Sequence, residues 1–229
     1  MSLAPAFAAV RERMAAAAVR GGRRAEDVSL VAVSKTVEPE VVREAQAECG
    51  QQLFGENRAD ELVRKVEACP DADFHFIGTL QTNKVRKVVG RATLIHSVDS
   101  QRLLQAIDAR AALQGIVQPV LLQVDISGEE AKHGIKPDEL DALLHFANSE
   151  LHAVRINGLM TMAPATYAEE VRWVFEGLRE LEMRRDYDGP NVALTELSMG
   201  MSGDYEVAIE EGATLVRIGT SLFGTLSII

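Results

Sequence analysis

Short runs rich in β-branched and aliphatic residues alternate along the chain with longer stretches whose apolar positions recur every three to four residues. The β-type runs cover residues 29–35, 52–57, 73–78, 93–99, 119–126, 155–162, 196–200 and 215–220. The intervening stretches carry helix signals. An alanine run, Ala15 to Ala18, lies in a helical segment that Gly21 and Gly22 end. Pro39 stands at a first-turn position with Val41, Val42 and Ala45 on one face. Ser100 can cap a helix burying Leu103, Leu104, Ile107 and Ala111. Pro137, Asp138 and Glu139 open a segment with Leu140, Leu143, Leu144 and Ala147 at helical spacing. Thr166 and Glu169 read as a capping box before Val171, Val174, Phe175, Leu178 and Leu181. Residues 203–211 supply a short helix with Val207 and Ala208 inward.

Eight strands separated by helices imply a parallel sheet with helical crossovers. The spacing predicts a closed (β/α)8 barrel of the TIM type, one domain over residues 1–229, with an extra helix before the first strand. An open doubly wound sheet would want a glycine-rich turn after strand one, where this chain has Ser34-Lys35-Thr36.

Composition narrows the class of partner. Twenty-four Lys and Arg against 34 Asp and Glu give a net charge of −10, which argues against a phosphate-backbone binder and so against nucleic acid. With 47% hydrophobic and 25% charged residues the chain reads as globular, and 5% aromatics mean a core of Ala, Val, Leu and Ile. Charges interrupt every long apolar stretch, so no membrane span is expected, and Arg11, Glu12 and Arg13 stand where a secretory signal would be apolar. Cys49 and Cys69 lack metal or redox spacing and read as packed or half-exposed free thiols in a cytoplasmic protein. No metal is implied, since the five histidines are scattered. The acidic surface suits a monomer or a weak homodimer.

In such a barrel, chemistry belongs at the C-terminal ends of the strands. In strand one, Val31, Val33 and Lys35 share a face. If the valines fill the interior, Lys35 points into the mouth, where partial desolvation lowers its pKa and makes it a candidate amine nucleophile. The alternative is a lysine snorkelling from a strand end. At the other side, Ser198, Gly219 and Thr220 look like a phosphate cradle, with Gly219 allowing close backbone approach. Arg217, flanked by Val216 and Ile218 on an inward-facing strand, needs an anion or an acceptor; the structural alternative pairs it with Glu196 or Glu210. An inward lysine opposite a phosphate cradle fits a phosphorylated aldehyde held as a Schiff base. Two classes qualify, a pyridoxal phosphate protein and a class I aldolase acting on a sugar phosphate.

Longer motifs carry a resemblance. AVSKT at 32–36, FGEN at 54–57, HFIGTLQTNK at 75–84, HSVD at 96–99, QVDISGEEAKHGI at 123–135, GLMTMAP at 158–164, LSMGMSGD at 197–204 and VRIGTSLFG at 216–224 follow one order through nearly the whole chain. Together they resemble the pyridoxal phosphate (PLP) homeostasis proteins, single-barrel relatives of the N-terminal domain of alanine racemase. The resemblance implies that Lys35 carries PLP as a Schiff base and that Arg217 faces the pyridine nitrogen. It also implies that Ser198, Gly219 and Thr220 bind the phosphate, with Asn57 near the cofactor. His75 and Met160 are implied as wall residues, and His133 reads as a surface residue. Thr79, Thr82 and Asp125 depart from the family's more frequent Pro, Ser and Asn, as does the tail at 225–229.

The implied role is control of free PLP and its supply to apo-enzymes, with little catalysis. An arginine at the ring nitrogen keeps it unprotonated and makes a poorer electron sink. The racemase's second base is a tyrosine supplied with a separate domain and partner subunit. This chain is expected to lack that domain, and Tyr167, Tyr187 and Tyr205 belong to no matching motif. The alternatives are a low-specificity amino-acid racemase and, further off, the sugar-phosphate aldolase.

Overall fold

Each β-type run forms a strand and pairs in parallel with the next, until the eighth returns to the first and closes a barrel. The computed structural model describes residues 2–128, 133–183 and 189–224. Tyr187, the tail at 225–229 and part of the 123–135 motif lie outside them. The first half runs α1 (Ala4–Arg20), β1 (Ser29–Val33), α2 (Pro39–Cys49), β2 (Leu53–Glu56), α3 (Ala59–Ala68), β3 (Asp73–Phe76), α4 (Val85–Val88) and β4 (Leu94–Val98). The second half continues α5 (Gln101–Gln114), β5 (Gln118–Gln123), α6 (Leu140–Glu150), β6 (Val154–Met160), α7 (Arg172–Met183), β7 (Val192–Met201), α8 (Tyr205–Glu210), β8 (Leu215–Ile218) and α9 (Thr220–Phe223).

Strand side chains alternate between two environments, as the pleat requires. Val31, Leu94, Leu121, Met160 and Leu215 form an apolar layer inside the barrel. Their neighbours Leu30, Ala32, Val120, Leu122, Val216 and Ile218 face outward and pack under the helices. The helix α1 adds a layer beside the last crossovers, where Phe7 meets Phe223 edge-on at 5.7 Å between ring centres. Both cysteines are free thiols, Cys69 buried and Cys49 half-buried. Among the described residues no helix is long and apolar enough to cross a membrane.

Local signals mostly act where the sequence puts them. Ser100 Oγ accepts the Leu103 amide at the start of α5, and Gly115 ends that helix in the left-handed region. One cap differs. The Thr166–Glu169 box does not form: Thr166 Oγ1 donates to Glu170 Oε2 at 2.5 Å, while Glu169 pairs with Arg172. A 3-10 turn at Ala168–Val171 precedes α7 and takes up the expected first turn. β7 starts at Val192, earlier than its apolar run suggested, because pairing with β6 extends back to Ile156.

The turn after β1 positions the lysine. Ser34 is fully buried, and Thr36 adopts φ 65°, a left-handed conformation that β-branched residues avoid.

Candidate functional site

Parallel strands in a closed barrel end at one rim, so their C-terminal residues converge. There a cavity of about 740 Å³ opens. Lys35, Asn57, Arg217, Gly219 and Thr220, drawn from the ends of β1, β2 and β8, all line it. Residues that lie between 35 and 220 in sequence thus meet in one pocket.

Arg217 forms part of its floor. It is 4% exposed, and burial pushes its pKa down to about 10 against the opposing charge of Asp204. Its Nη1 donates to Ser198 Oγ at 2.6 Å and its Nη2 to the Thr161 carbonyl at 3.0 Å. Neither expected glutamate is its partner. Glu210 pairs with Arg20 and Arg172 on the outer helices, and Glu196 accepts from Thr214 Oγ1. The physical reason is facing: β8 points Arg217 inward, away from both carboxylates. The charge that steadies it, Asp204, stands at the end of the SGD turn after β7, and its own pKa is raised chiefly by burial.

Ser198 sits differently from its expected place. It is fully buried beneath Arg217 and does not line the cavity. The register places it opposite Leu215, one layer below the rim. Ser202 and Gly203 take its place, with Ser202 Oγ accepting the Gly219 amide at 3.4 Å. The signal for Ser202 was present in the LSMGMSGD run, but the strand's reach to Met201 could not be read from its apolar pattern. Gly219 earns its lack of a side chain, since a Cβ there would lie 3.2 Å from both Val33 Cβ and the Val33 carbonyl oxygen. Helix geometry also leaves the first N–H groups of α9, at Thr220 and Ser221, without intrahelical acceptors.

His75 and Met160 are interior residues below the cavity and form none of its wall. Met160 belongs to the apolar layer around Val31. His75 Nδ1 lies 2.8 Å from His96 Nε2, and His96 Nδ1 lies 2.8 Å from Ser198 Oγ. A guanidinium only donates, so Ser198 Oγ accepts from Arg217 and its own hydrogen is satisfied by donating to His96 Nδ1. His96 then donates from Nε2 to His75 Nδ1. Both rings are neutral at pH 7, because burial lowers His75 to about 4 and drives His96 in the same direction. The polar layer His75–His96–Ser198–Arg217 therefore places a single positive charge at the cavity floor.

Lys35 is on the rim and solvent-exposed, so the desolvation expected of it is not found. β1 ends at Val33, and the Ser34–Thr36 turn lifts the side chain out of the barrel. Asn57 and Arg58 stand next to it at the end of β2, and both are exposed. His133 is exposed, as expected of a surface residue, and also borders the cavity. Among the described residues no tyrosine lines it. Tyr167 is 80% exposed elsewhere, and Tyr205 is buried in α8. No group of His, Cys, Asp or Glu among the described residues could hold a metal ion.

The cavity meets the needs of a phosphorylated pyridine aldehyde. It offers an accessible amine, a buried cation on the floor, and a side-chain-free approach at Gly219 flanked by the Ser202 and Thr220 hydroxyls.

Comparison with known proteins agrees. The family model for the alanine racemase N-terminal domain matches residues 8–227. A pyridoxal phosphate homeostasis protein of Aquifex aeolicus is 50% identical over 220 residues, 94% of each chain. One from Deinococcus radiodurans is 41% identical over 223 residues, covering 97% of this chain and all of that one. PipY of Synechococcus elongatus, 41% identical, has been solved without PLP and with PLP bound. The two structures superpose with TM-scores of 0.81 and 0.77 over 86% of this chain and 93% of that one.

Proposed function

The chain belongs to the alanine racemase N-terminal domain family and, within it, to the pyridoxal phosphate homeostasis proteins, and from that premise we propose that it binds PLP reversibly through Lys35 and serves PLP homeostasis by buffering the cofactor and delivering it to apo-enzymes. The observation that carries this reading is the convergence of Lys35, Arg217, Gly219 and Thr220 on one cavity. When bound, PLP supplies an aldehyde that condenses with amines and a ring that can accept electrons.

The protein's own residues divide the work of holding it. Lys35 Nζ is the amine that takes the aldehyde carbon. Ser202, Gly219, Thr220 and the first amides of α9 form the pocket for the phosphate, and Ser198 acts one layer down by orienting Arg217. With its pKa at about 10, Arg217 stays charged at pH 7 and presents donors only, so beside the ring nitrogen it would donate to that nitrogen and leave it unprotonated. Asn57 borders the same space beside Lys35. The exposure of Lys35 leaves its bond within reach of an incoming amine, which suits a holder that must also let go.

A carrier is favoured over a racemase on one observation. Racemisation needs acid and base groups on opposite faces of the substrate carbon. Apart from Lys35 and the two arginines Arg58 and Arg217, the ionisable side chains on this cavity, among the described residues, are His133 at the rim and Asp125. Asp125 is engaged by Ser127 Oγ and the Gly128 amide, both at 3.0 Å.

The test is direct. Purified protein is titrated with PLP, reduced with borohydride and digested, and the labelled peptide is mapped by mass spectrometry. The expected result is visible absorbance and a pyridoxyl-phosphate adduct on Lys35 that Lys35→Ala abolishes, with no α-proton exchange from L-alanine in deuterated solvent. Absence of PLP uptake, or a label on another residue that survives Lys35→Ala, overturns the reading.

A further inference from the structure

Behind the barrel wall lies a charged cluster that the cavity does not touch. Helix α3 buries one face through Ala59, Leu62 and Lys65. A leucine at the last position would complete an ordinary apolar stripe. Instead Lys65 is fully buried, and its Nζ lies 2.5 Å from Oε1 of Glu56, itself fully buried at the end of β2. Removing both charges from water is costly, and apolar replacements of similar size commonly give equal or greater stability. The cluster is also incompletely satisfied, because Glu56 Oε2 is buried without a hydrogen-bond partner. A pair of this kind needs a reason other than stability.

Its contacts supply one. Glu56 Oε1 accepts from Ser34 Oγ at 2.6 Å, and Lys65 Nζ donates to the Ser34 carbonyl at 2.5 Å. The Ser34 amide donates to the Gly55 carbonyl at 3.0 Å, and its own carbonyl also accepts the Val37 amide at 3.0 Å. All three polar atoms of Ser34 are thereby held by β2 and α3. The next residue is Lys35, followed by Thr36 in its left-handed conformation. The lysine thus emerges between a clamped residue and a strained one, and the clamp sets the direction in which its side chain leaves the wall.

We propose that the buried Ser34–Glu56–Lys65 cluster is a positioning device that holds the turn after β1 so that Lys35 presents its amine to the mouth of the barrel. The proposal rests on the reading of Lys35 as the residue that takes the PLP aldehyde. Glu56 and Lys65 touch neither the cavity nor, through it, any ligand, so they act only through Ser34.

The experiment compares wild type, the charge-free double variant Glu56→Leu/Lys65→Met, and Ser34→Ala, which releases only the hydroxyl. Three readouts are taken: thermal unfolding of the apoprotein, amide exchange across residues 34–37, and PLP affinity from absorbance with borohydride mapping. The double variant is expected to melt within about 4 °C of wild type. Its exchange at 34–37 should rise at least tenfold and its PLP affinity fall by about tenfold or more, the order of loss that a misaimed reacting group brings. Ser34→Ala should shift both in the same direction by roughly threefold, and it carries the test alone if the double variant does not fold. Wild-type exchange at 34–37 with PLP affinity within about twofold of wild type overturns the proposal. So does an affinity loss that follows melting temperature and vanishes on cooling. If wild type itself takes no PLP at Lys35, the underlying reading has failed, whereas labelled wild type with indifferent variants sinks the positioning role alone.

Discussion

Replacing Arg217 by methionine separates a residue kept for a ligand from one kept for the fold. The guanidinium is buried at the cavity floor, and its pKa falls from the ordinary arginine range to about 10. That displacement disfavours the charged form by roughly 3 kcal/mol relative to water. Against this stand two hydrogen bonds from a charged donor, to Ser198 Oγ and the Thr161 carbonyl, worth about 1.5–3 kcal/mol each. Methionine removes the burial penalty and contributes apolar burial of roughly 1.5–3 kcal/mol. It leaves Ser198 its His96 partner but strands the Thr161 carbonyl, at about 1–3 kcal/mol. The opposing terms are of equal size, so the apoprotein is expected to stay within about 2 kcal/mol of wild type, a melting shift of at most roughly 4–8 °C. PLP binding should respond quite differently. Loss of one charge-assisted hydrogen bond to the ligand predicts about a 10- to 150-fold rise in Kd. Urea denaturation of the apoprotein and absorbance titration with PLP measure the two quantities on the same sample. A variant that loses more than about 4 kcal/mol of stability while binding PLP normally would make Arg217 a structural keystone and refute the reasoning.

Two further outcomes follow from the same layer and its neighbour. Histidines held neutral by burial bind fewer protons folded than unfolded, so the stability they permit is full above pH 6.5 and is lost as pH falls toward the folded pKa of about 4. By pH 5 His75 alone accounts for a loss of about 2 kcal/mol, with His96 adding a loss of the same sign. Urea unfolding of wild type and His75→Asn at pH 7 and pH 5 should show the variant losing less, and an equal loss in both would remove His75 from the account. On the side proposed for the phosphate, Gly219→Ala places a Cβ 3.2 Å from Val33. PLP affinity should drop about tenfold while labelling of Lys35 by phosphate-free pyridoxal changes little. A parallel loss for both aldehydes would move the phosphate away from Gly219.

Much of the site was legible because a strand's period of two links a residue's place in the run to its facing. Val31 and Val33 inward put Lys35 at the mouth, and Leu215 inward put Arg217 beside it. Where that rule failed, longer-range pairing had intervened. Ser198 dropped below the rim because β7 continues to Met201, bringing Ser202 to the cavity. Lys35 proved exposed because its turn leaves the barrel direction. The absence of Glu196 and Glu210 from Arg217 reflects the wall of the barrel standing between them.

The amino-acid order by itself determined the alternation of elements, the closed parallel architecture, the cap at Ser100, and the family. These depend on local periodicity, on turn chemistry and on motifs read in order. Only the tertiary structure decided which polar groups share a layer, that His75 and His96 carry no charge, and that Lys65 is buried against Glu56 behind the turn that bears Lys35. Helical spacing places Lys65 on the same face as Leu62, yet nothing along the chain says that this face meets a carboxylate from β2. Burial and pairing between elements arise only when the sheet closes, and with them the energies that hold a lysine, an arginine or a histidine in place.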